Sequence, residues 1–153
     1  MADAAKPDMT IVRVFDAPRR LVWEAWTQPR HLAQWFGPQG FTNPVCEADV
    51  RPGGIMRITM QGPDGTQYPM EAVFQEVVQP ERLVWDTSVE HAGNVSFDIH
   101  QVITFAERNG KTEVTLVAYV TRATPESAGA LGGMEIGWSQ SLDKLAELLP
   151  HVA

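Results

Sequence analysis

The residues of this 153-residue chain best suited to move a proton near neutral pH are its four histidines, His31, His91, His100 and His151. No two of them stand at the spacing of a helical metal site, and the single cysteine, Cys46, forms no thiolate cluster. No metal site and no cofactor are therefore expected. Asp98 and His100 lie two apart, which on a strand puts them on one face. Their neighbours Phe97 and Ile99 have the inward pattern, so Asp98 and His100 are expected outside, as a surface pair. With the opposite parity, His100 would become a candidate acid or base. Ser139 and Ser141 could be nucleophiles, but neither stands in a Gly-x-Ser-x-Gly elbow and no base is identified for either. Ser141, on the inner side of the last helix, reads better as a polar anchor for a ligand. Glu47, Glu71, Asp86 and Glu113 could act as paired carboxylates only if strand register joined them, and most are expected in solvent. Gly129 to Gly133 has no phosphate-loop pattern. It is expected to loosen the loop before the last helix, and so to gate whatever lies beneath. No catalytic residue is assigned.

The more conspicuous chemistry is apolar. Five tryptophans and six methionines are present, in a chain that is 44% hydrophobic. Aromatic and methionine side chains recur at inward-facing positions, where they serve either as ordinary core or as the lining of a ligand site, which is itself mostly apolar with a few polar anchors. Methionine adapts to irregular shapes and favours the second use mildly. The candidate lining is Trp35, Phe36, Met56, Ile58, Met60, Tyr68, Met70, Phe74, Trp85, Phe97, Ile99, Leu116, Met134, Trp138, Ser141 and Leu142, with Trp35, Trp85 and Trp138 among the walls.

Charge narrows the partners. A net charge of −7 with only 12 lysines and arginines gives no global attraction for a phosphate backbone, so no nucleic acid partner is expected. The one basic concentration, Arg19, Arg20 and Arg30, reads as a solvated helix face. No stretch approaches the ~20 apolar residues that span a bilayer, so no membrane partner is expected. One thiol without a bridge, and an N-terminal stretch from Met1 to Pro7 without an apolar run, point to the cytoplasm. Asn94-Val95-Ser96 then matches a glycosylation sequon by chance.

Local sequence patterns place these residues on elements. Met9 to Phe15 reads as a strand, stopped by Asp16-Ala17-Pro18. Pro18 opens a helix whose apolar face is Leu21, Val22, Ala25 and Trp26. A second short helix follows Thr27-Gln28-Pro29, carries Leu32, Trp35 and Phe36, and ends at Gly37-Pro38-Gln39-Gly40. Strands are then expected over Val45 to Val50, Ile55 to Gln61, Gln67 to Val78, Arg82 to Val89, Ser96 to Ala106 and Thr112 to Thr121. The turns between them are Arg51-Pro52-Gly53-Gly54, Gly62-Pro63-Asp64-Gly65, Gln79-Pro80-Glu81, the loop His91 to Asn94, and Asn109-Gly110. Thr124-Pro125-Glu126 reads as a helix start with Thr124 as cap. The last helix runs from Met134 to Leu149 and stops at Pro150, with Met134, Trp138, Ser141, Leu142, Leu145 and Leu149 on one face. Strands and helices do not alternate, so a doubly wound parallel sheet is not expected. Consecutive hairpins followed by an amphipathic helix give a single α+β domain over 1–153, residues 1–8 being a flexible lead. In it a curved antiparallel sheet has one face covered by the helix.

The segments Phe15-Asp16-Ala17-Pro18, Val22-Trp23-Glu24-Ala25-Trp26-Thr27-Gln28-Pro29 and Trp35-Phe36-Gly37-Pro38-Gln39-Gly40-Phe41 resemble the START-like, pollen-allergen-like (SRPBCC) superfamily. With Arg51-Pro52-Gly53-Gly54, Gly62-Pro63-Asp64-Gly65, Pro80-Glu81-Arg82-Leu83 and Gly137-Trp138-Ser139-Gln140-Ser141-Leu142-Asp143-Lys144-Leu145, they are similar to the family of the C-terminal domain of the activator of the heat-shock protein 90 ATPase. The resemblance runs from about Thr10 to Leu149. It implies a helix-grip fold, in which a roughly seven-stranded antiparallel sheet wraps round the C-terminal helix above a cavity. It also implies three functions to weigh. The first is binding of a small hydrophobic, aromatic or lipid-like ligand in that cavity. The second is a co-chaperone-like module that stimulates a chaperone partner, although the known activators carry an additional N-terminal domain. The third is an enzyme of the cyclase or hydrolase kind, for which no acid–base set is visible. A homodimer is compatible with all three, since symmetric dimers are the commonest oligomers.

Overall fold

Alternating apolar and polar side chains recur from Met9 to Ala123. In the computed structural model, which describes residues 6–91, 94–123 and 133–152, they form a seven-stranded sheet. The strands are β1 (Met9–Phe15), β2 (Thr42–Ala48), β3 (Ile55–Gln61), β4 (Gln67–Val78), β5 (Arg82–His91), β6 (Asn94–Arg108) and β7 (Lys111–Ala123). All pairings are antiparallel, in the spatial order β1-β7-β6-β5-β4-β3-β2. Strands β2 to β7 form a meander, while β1 joins the far side of β7. The two edges of the sheet are thus consecutive strands in the chain, and the segment between them must cross the sheet. That segment carries α1 (Arg19–Thr27) and α2 (Pro29–Trp35), and the chain closes with α3 (Met134–Leu148) and a 3-10 turn at Leu149–His151.

Register shifts at Thr42/Val45, Phe74/Glu76, Val89/Glu90 and Asp98/Ile99 bend the strands. Bulges of this kind raise the local twist and curl a sheet, and here the curl faces the helices. The inward side chains pack round Trp26 on α1, which is fully buried. Its ring centroid lies 4.8 Å from that of Trp35, 6.0 Å from Trp85, 5.9 Å from Phe105 and 5.9 Å from Trp138. Burying a ring of this size contributes several kcal/mol, on the order of 25 cal/mol per Å² removed from water. On α3 the buried residues are Ser141, Leu142 and Leu145, with Leu149 buried in the turn beyond.

Element order and the inward parity of the strands follow the sequence reading, and β1, β3 and β4 have the expected bounds. Boundaries of β2, β5, β6, β7 and α3 are corrected. Strand β2 begins at Thr42 rather than Val45 and ends at Ala48 rather than Val50. Pro44 looks like a stop, but β2 is an edge strand and Pro44 sits in its bulge, where no ladder hydrogen bond is lost. Strands β5 and β6 run on to His91 and Asn94, which pair, so only residues 92–93 of the expected loop remain and these lie outside the described residues. Strands β6 and β7 extend to the turn itself, with Asn109 at φ 54 and Gly110 at φ 80, and β7 continues to Ala123. The last α-helix ends at Leu148, because Pro150 turns the final residues into the 3-10 geometry. The helix start expected at Thr124 and the loosening at Gly129 and Gly132 lie outside the described residues.

Candidate functional site: an apolar cavity under the last helix

The sheet's inner face is covered unevenly. At one end, α1, α2 and the second half of α3 fill it. At the other end, near the β3–β4 hairpin, α3 stands off from the strands. The space left is about 340 Å³, lined by Phe36, Gly37, Pro38, Phe41, Met60, Tyr68, Met70, Thr87, Phe97, Ile99, Gln101, Gly133, Met134, Gly137, Trp138 and Ser141. None of these side chains carries a formal charge at neutral pH. Phe36 meets Trp138 edge to face at 5.4 Å, and Trp138 stacks on Trp26 with an interplanar angle of 10°. One wall of the cavity is therefore continuous with the tryptophan core.

The expected lining splits along this division. Phe36, Met60, Tyr68, Met70, Phe97, Ile99, Met134, Trp138 and Ser141 line the cavity. Trp35, Met56, Ile58, Phe74, Trp85, Leu116 and Leu142 do not: each is at most 1% exposed and belongs to the packed core. Their parity is inward, as expected. Parity, however, cannot tell which end of a strand lies beneath α1 and α2. On β3 the boundary falls between Ile58 and Met60, on β4 between Met70 and Phe74, and on β5 between Trp85 and Thr87.

Gly37, Pro38 and Phe41, in the loop after α2, were not in the expected lining, nor were Thr87, Gln101 and Gly137, while Gly133 was expected only as part of the loosened loop before the last helix. For Gln101 a signal existed: it shares the parity of Phe97, Ile99, Ile103 and Phe105, which makes it a lone polar residue in an apolar row. It is 3% exposed, and its Oε1 accepts hydrogen bonds from Trp85 Nε1 at 2.6 Å and Thr87 Oγ1 at 3.1 Å. The loop is tied to α3 by its backbone. Lys144 Nζ donates to the carbonyls of Gly37 and Pro38 at 3.1 and 3.3 Å, and Gln39 N–H donates to Gln140 Oε1 at 3.0 Å. Burial lowers the Lys144 pKa below its ordinary value. Asn43 Nδ2 fixes the loop's other end by donating to the carbonyls of Ala33 and Phe36 at 3.0 and 2.8 Å. At Gly37, φ is 95, a conformation that other residues adopt at a cost.

The groups suited to acid–base or nucleophilic work are elsewhere or already engaged. The Ser141 hydroxyl donates to the Gly137 carbonyl at 2.9 Å, so no base draws on its proton. Asp98 and His100 do point away from the cavity, but they are not partners of each other. Each bonds the residue opposite on β5, Asp98 Oδ1 accepting from Ser88 Oγ at 2.7 Å and His100 Nδ1 meeting Asp86 Oδ1 at 2.5 Å. Glu71 pairs with Arg57 and Glu113 with Arg108 in exposed ion pairs, so these carboxylates are not brought together. Among the described residues no three His, Cys, Asp or Glu side chains could hold a metal ion. No helix among them is long and apolar enough to cross a membrane.

A curved antiparallel sheet closed on a C-terminal helix over an apolar cavity defines a helix-grip domain of the START-like (SRPBCC) superfamily. Residues 16–150 match the family described as Activator of Hsp90 ATPase homolog 1-like protein, and the chain belongs to that family. Solved structures agree. A protein from Nitrosomonas europaea is 27% identical, with 94% of each chain covered and a TM-score of 0.79. One from Chromobacterium violaceum is 29% identical over 92% of this chain and 95% of its own, with a TM-score of 0.77. A third, from Mycobacterium smegmatis, is 28% identical over 92% and 88%, also with a TM-score of 0.77. The comparison with curated proteins returns no match.

Proposed function

We propose that this protein binds a small, largely apolar or aromatic molecule in the cavity between the sheet and α3. The observation that carries the reading is the cavity itself: about 340 Å³, walled by Phe36, Phe41, Met60, Met70, Ile99 and Trp138, with a few polar groups set among them. Its volume falls at the lower end of the roughly 300–1,000 Å³ typical of ligand sites, which suits a compact ring system or short chain rather than a diacyl lipid. Methionines on β3 and β4 allow the walls to adapt to the occupant.

Titration with a panel of neutral aromatic and short-chain metabolites, followed by two-dimensional NMR, tests this directly. Binding should shift the methyl signals of Met60, Met70 and Ile99 and the indole signal of Trp138, and should leave Val12 and Val14 on the outer face unmoved. A panel that moves none of the cavity signals at millimolar concentration rejects the reading. Stimulation of a chaperone ATPase, the activity in the family's description, ranks below it because the feature this chain displays is a cavity. Catalysis ranks lower again, since Ser141 is engaged by a backbone carbonyl and His100 lies on the opposite face of the sheet.

A further inference from the structure

Gln101, a polar side chain buried in the cavity wall, constrains what a ligand must carry. An indole N–H can only donate, so the Gln101 atom 2.6 Å from Trp85 Nε1 has to be the amide oxygen. The Thr87 hydroxyl donates to that same oxygen. The oxygen is thereby saturated and the planar amide is fixed in orientation. Its NH2 is turned away from Trp85 and Thr87, and neither N–H has an acceptor among the described residues, although Gln101 is 3% exposed and lines the cavity. The nitrogen is open to the cavity rather than sealed in packed protein, since among the described residues the enclosed side-chain atoms without a partner are Trp26 Nε1, His31 Nδ1 and Asn43 Oδ1. An apolar occupant that offered no acceptor would cut it off from water at a cost, so the arrangement favours an occupant that supplies one. Two nearby hydroxyls do not compete as donors: Thr87 spends its hydrogen on Gln101, and Ser141 spends its own on the Gly137 carbonyl.

We infer that Gln101 is the specificity-determining residue of this cavity, and that the ligand is an uncharged apolar or aromatic molecule bearing a carbonyl or comparable oxygen acceptor that receives the Gln101 amide N–H. The inference rests on the binding function proposed above. Among the described residues the lining supplies no cation to neutralise a carboxylate or phosphate, and desolvating such a group without a counter-charge is far more costly than desolvating a ketone, ester or lactone oxygen. A hydrocarbon of equal shape would leave the Gln101 donor unpaired, and sites built to hydrogen-bond a ligand atom discriminate against analogues that lack it.

A matched set of probes tests this: methyl naphthyl ketone, ethylnaphthalene and naphthoate, substituted at the same ring position and titrated by NMR into the wild-type protein and Gln101→Glu. The substitution keeps an oxygen for Trp85 and Thr87 and, with the titrations of both proteins run at pH 9 so that the carboxyl is ionised despite its burial, replaces the outward donor by an acceptor. In the wild type the ketone should bind about tenfold more tightly than the ethyl analogue, and should move the Gln101 side-chain amide signal, which the ethyl analogue leaves in place. Naphthoate should bind most weakly. In Gln101→Glu the preference for the ketone should disappear. Equal affinities for ketone and ethyl analogue, with the cavity methyl signals shifting for both, overturn the inference and leave the binding function standing. Tightest binding by naphthoate overturns it as well. If none of the three moves a cavity signal, the binding function itself fails for compact aromatics and the inference fails with it. Should Gln101→Glu not fold, the wild-type comparison and the Gln101 amide signal still decide.

Discussion

His31 sits on α2, 8% exposed, with its Nδ1 unpartnered. Burial first, and then the neighbouring Arg30 cation, lower its pKa below the usual 6.5, with Glu24 opposing in part. A base whose folded pKa is depressed holds fewer protons folded than unfolded. The stability it allows is complete above the unfolded value and is lost as pH falls through the folded one. Thermal melts at a series of pH values should therefore show a decline setting in below about pH 6.5, and His31→Phe should flatten that part of the curve. Equal slopes for the two proteins would reject the assignment. Cys46 gives a second expectation at this scale. Burial, with Glu47 adding to it, pushes its pKa up to about 11. Only about one thiol in a thousand is then ionised at pH 8, and the thiolate is the reactive form. Alkylation by iodoacetamide at that pH should be roughly a hundredfold slower than in the unfolded chain, and a rate matching the unfolded one would show the thiol to be unshielded. Neither environment was legible in sequence, because the identity of a His or Cys says nothing of what covers it. Gln101 differs: the sequence reading passed over it, although its type, set against the parity of the row it interrupts, was a legible signal.

At the scale of elements, the strands were legible wherever alternation met firm turn chemistry, as at Gly62-Pro63-Asp64-Gly65 and Asn109-Gly110. Legibility failed where a local rule depends on tertiary position. Pro44 stops a central strand but not the edge strand it occupies, and nothing local says that β2 is an edge. The loop after α2 is the functional counterpart of this failure. Its sequence reads only as a stop, yet it closes the cavity, and its shape depends on Gly37. An added Cβ there would meet Met60 Sδ at 3.3 Å, and φ is 95. Placing a non-glycine residue in the left-handed region costs about 1–2 kcal/mol. Gly37→Ala should thus lower the melting temperature by roughly 2–8 °C, and hydrogen exchange should quicken at Phe41 while β6 and β7 stay protected. A melting temperature unchanged within error would mean that the loop does not need this conformation.

For the molecule as a whole, one continuous core runs from Trp26 outward, and the same fold leaves a partly open space of about 340 Å³ between the sheet and α3. That volume is a stability forgone, since each methylene buried there would contribute on the order of 0.8 kcal/mol. Ser141 is the place to test the trade. It is buried on α3, faces the cavity, and its one hydrogen bond goes to a carbonyl within its own helix. Ser141→Leu adds apolar bulk to the space and puts a stronger helix former on α3. If the cavity is kept for a ligand rather than for folding, the variant should gain about 1–2 kcal/mol, read as a melting temperature higher by roughly 2–8 °C. It should at the same time lose affinity for methyl naphthyl ketone, whose place the leucine takes. A fall in melting temperature would mean that the side chain meets packed neighbours, and that the cavity has no room to give at this wall. A gain in stability with ketone binding intact would place the ligand away from Ser141, towards Phe41 and Tyr68. The expected pair of results, greater stability with weaker binding, is what separates a site maintained at a cost from a defect of packing.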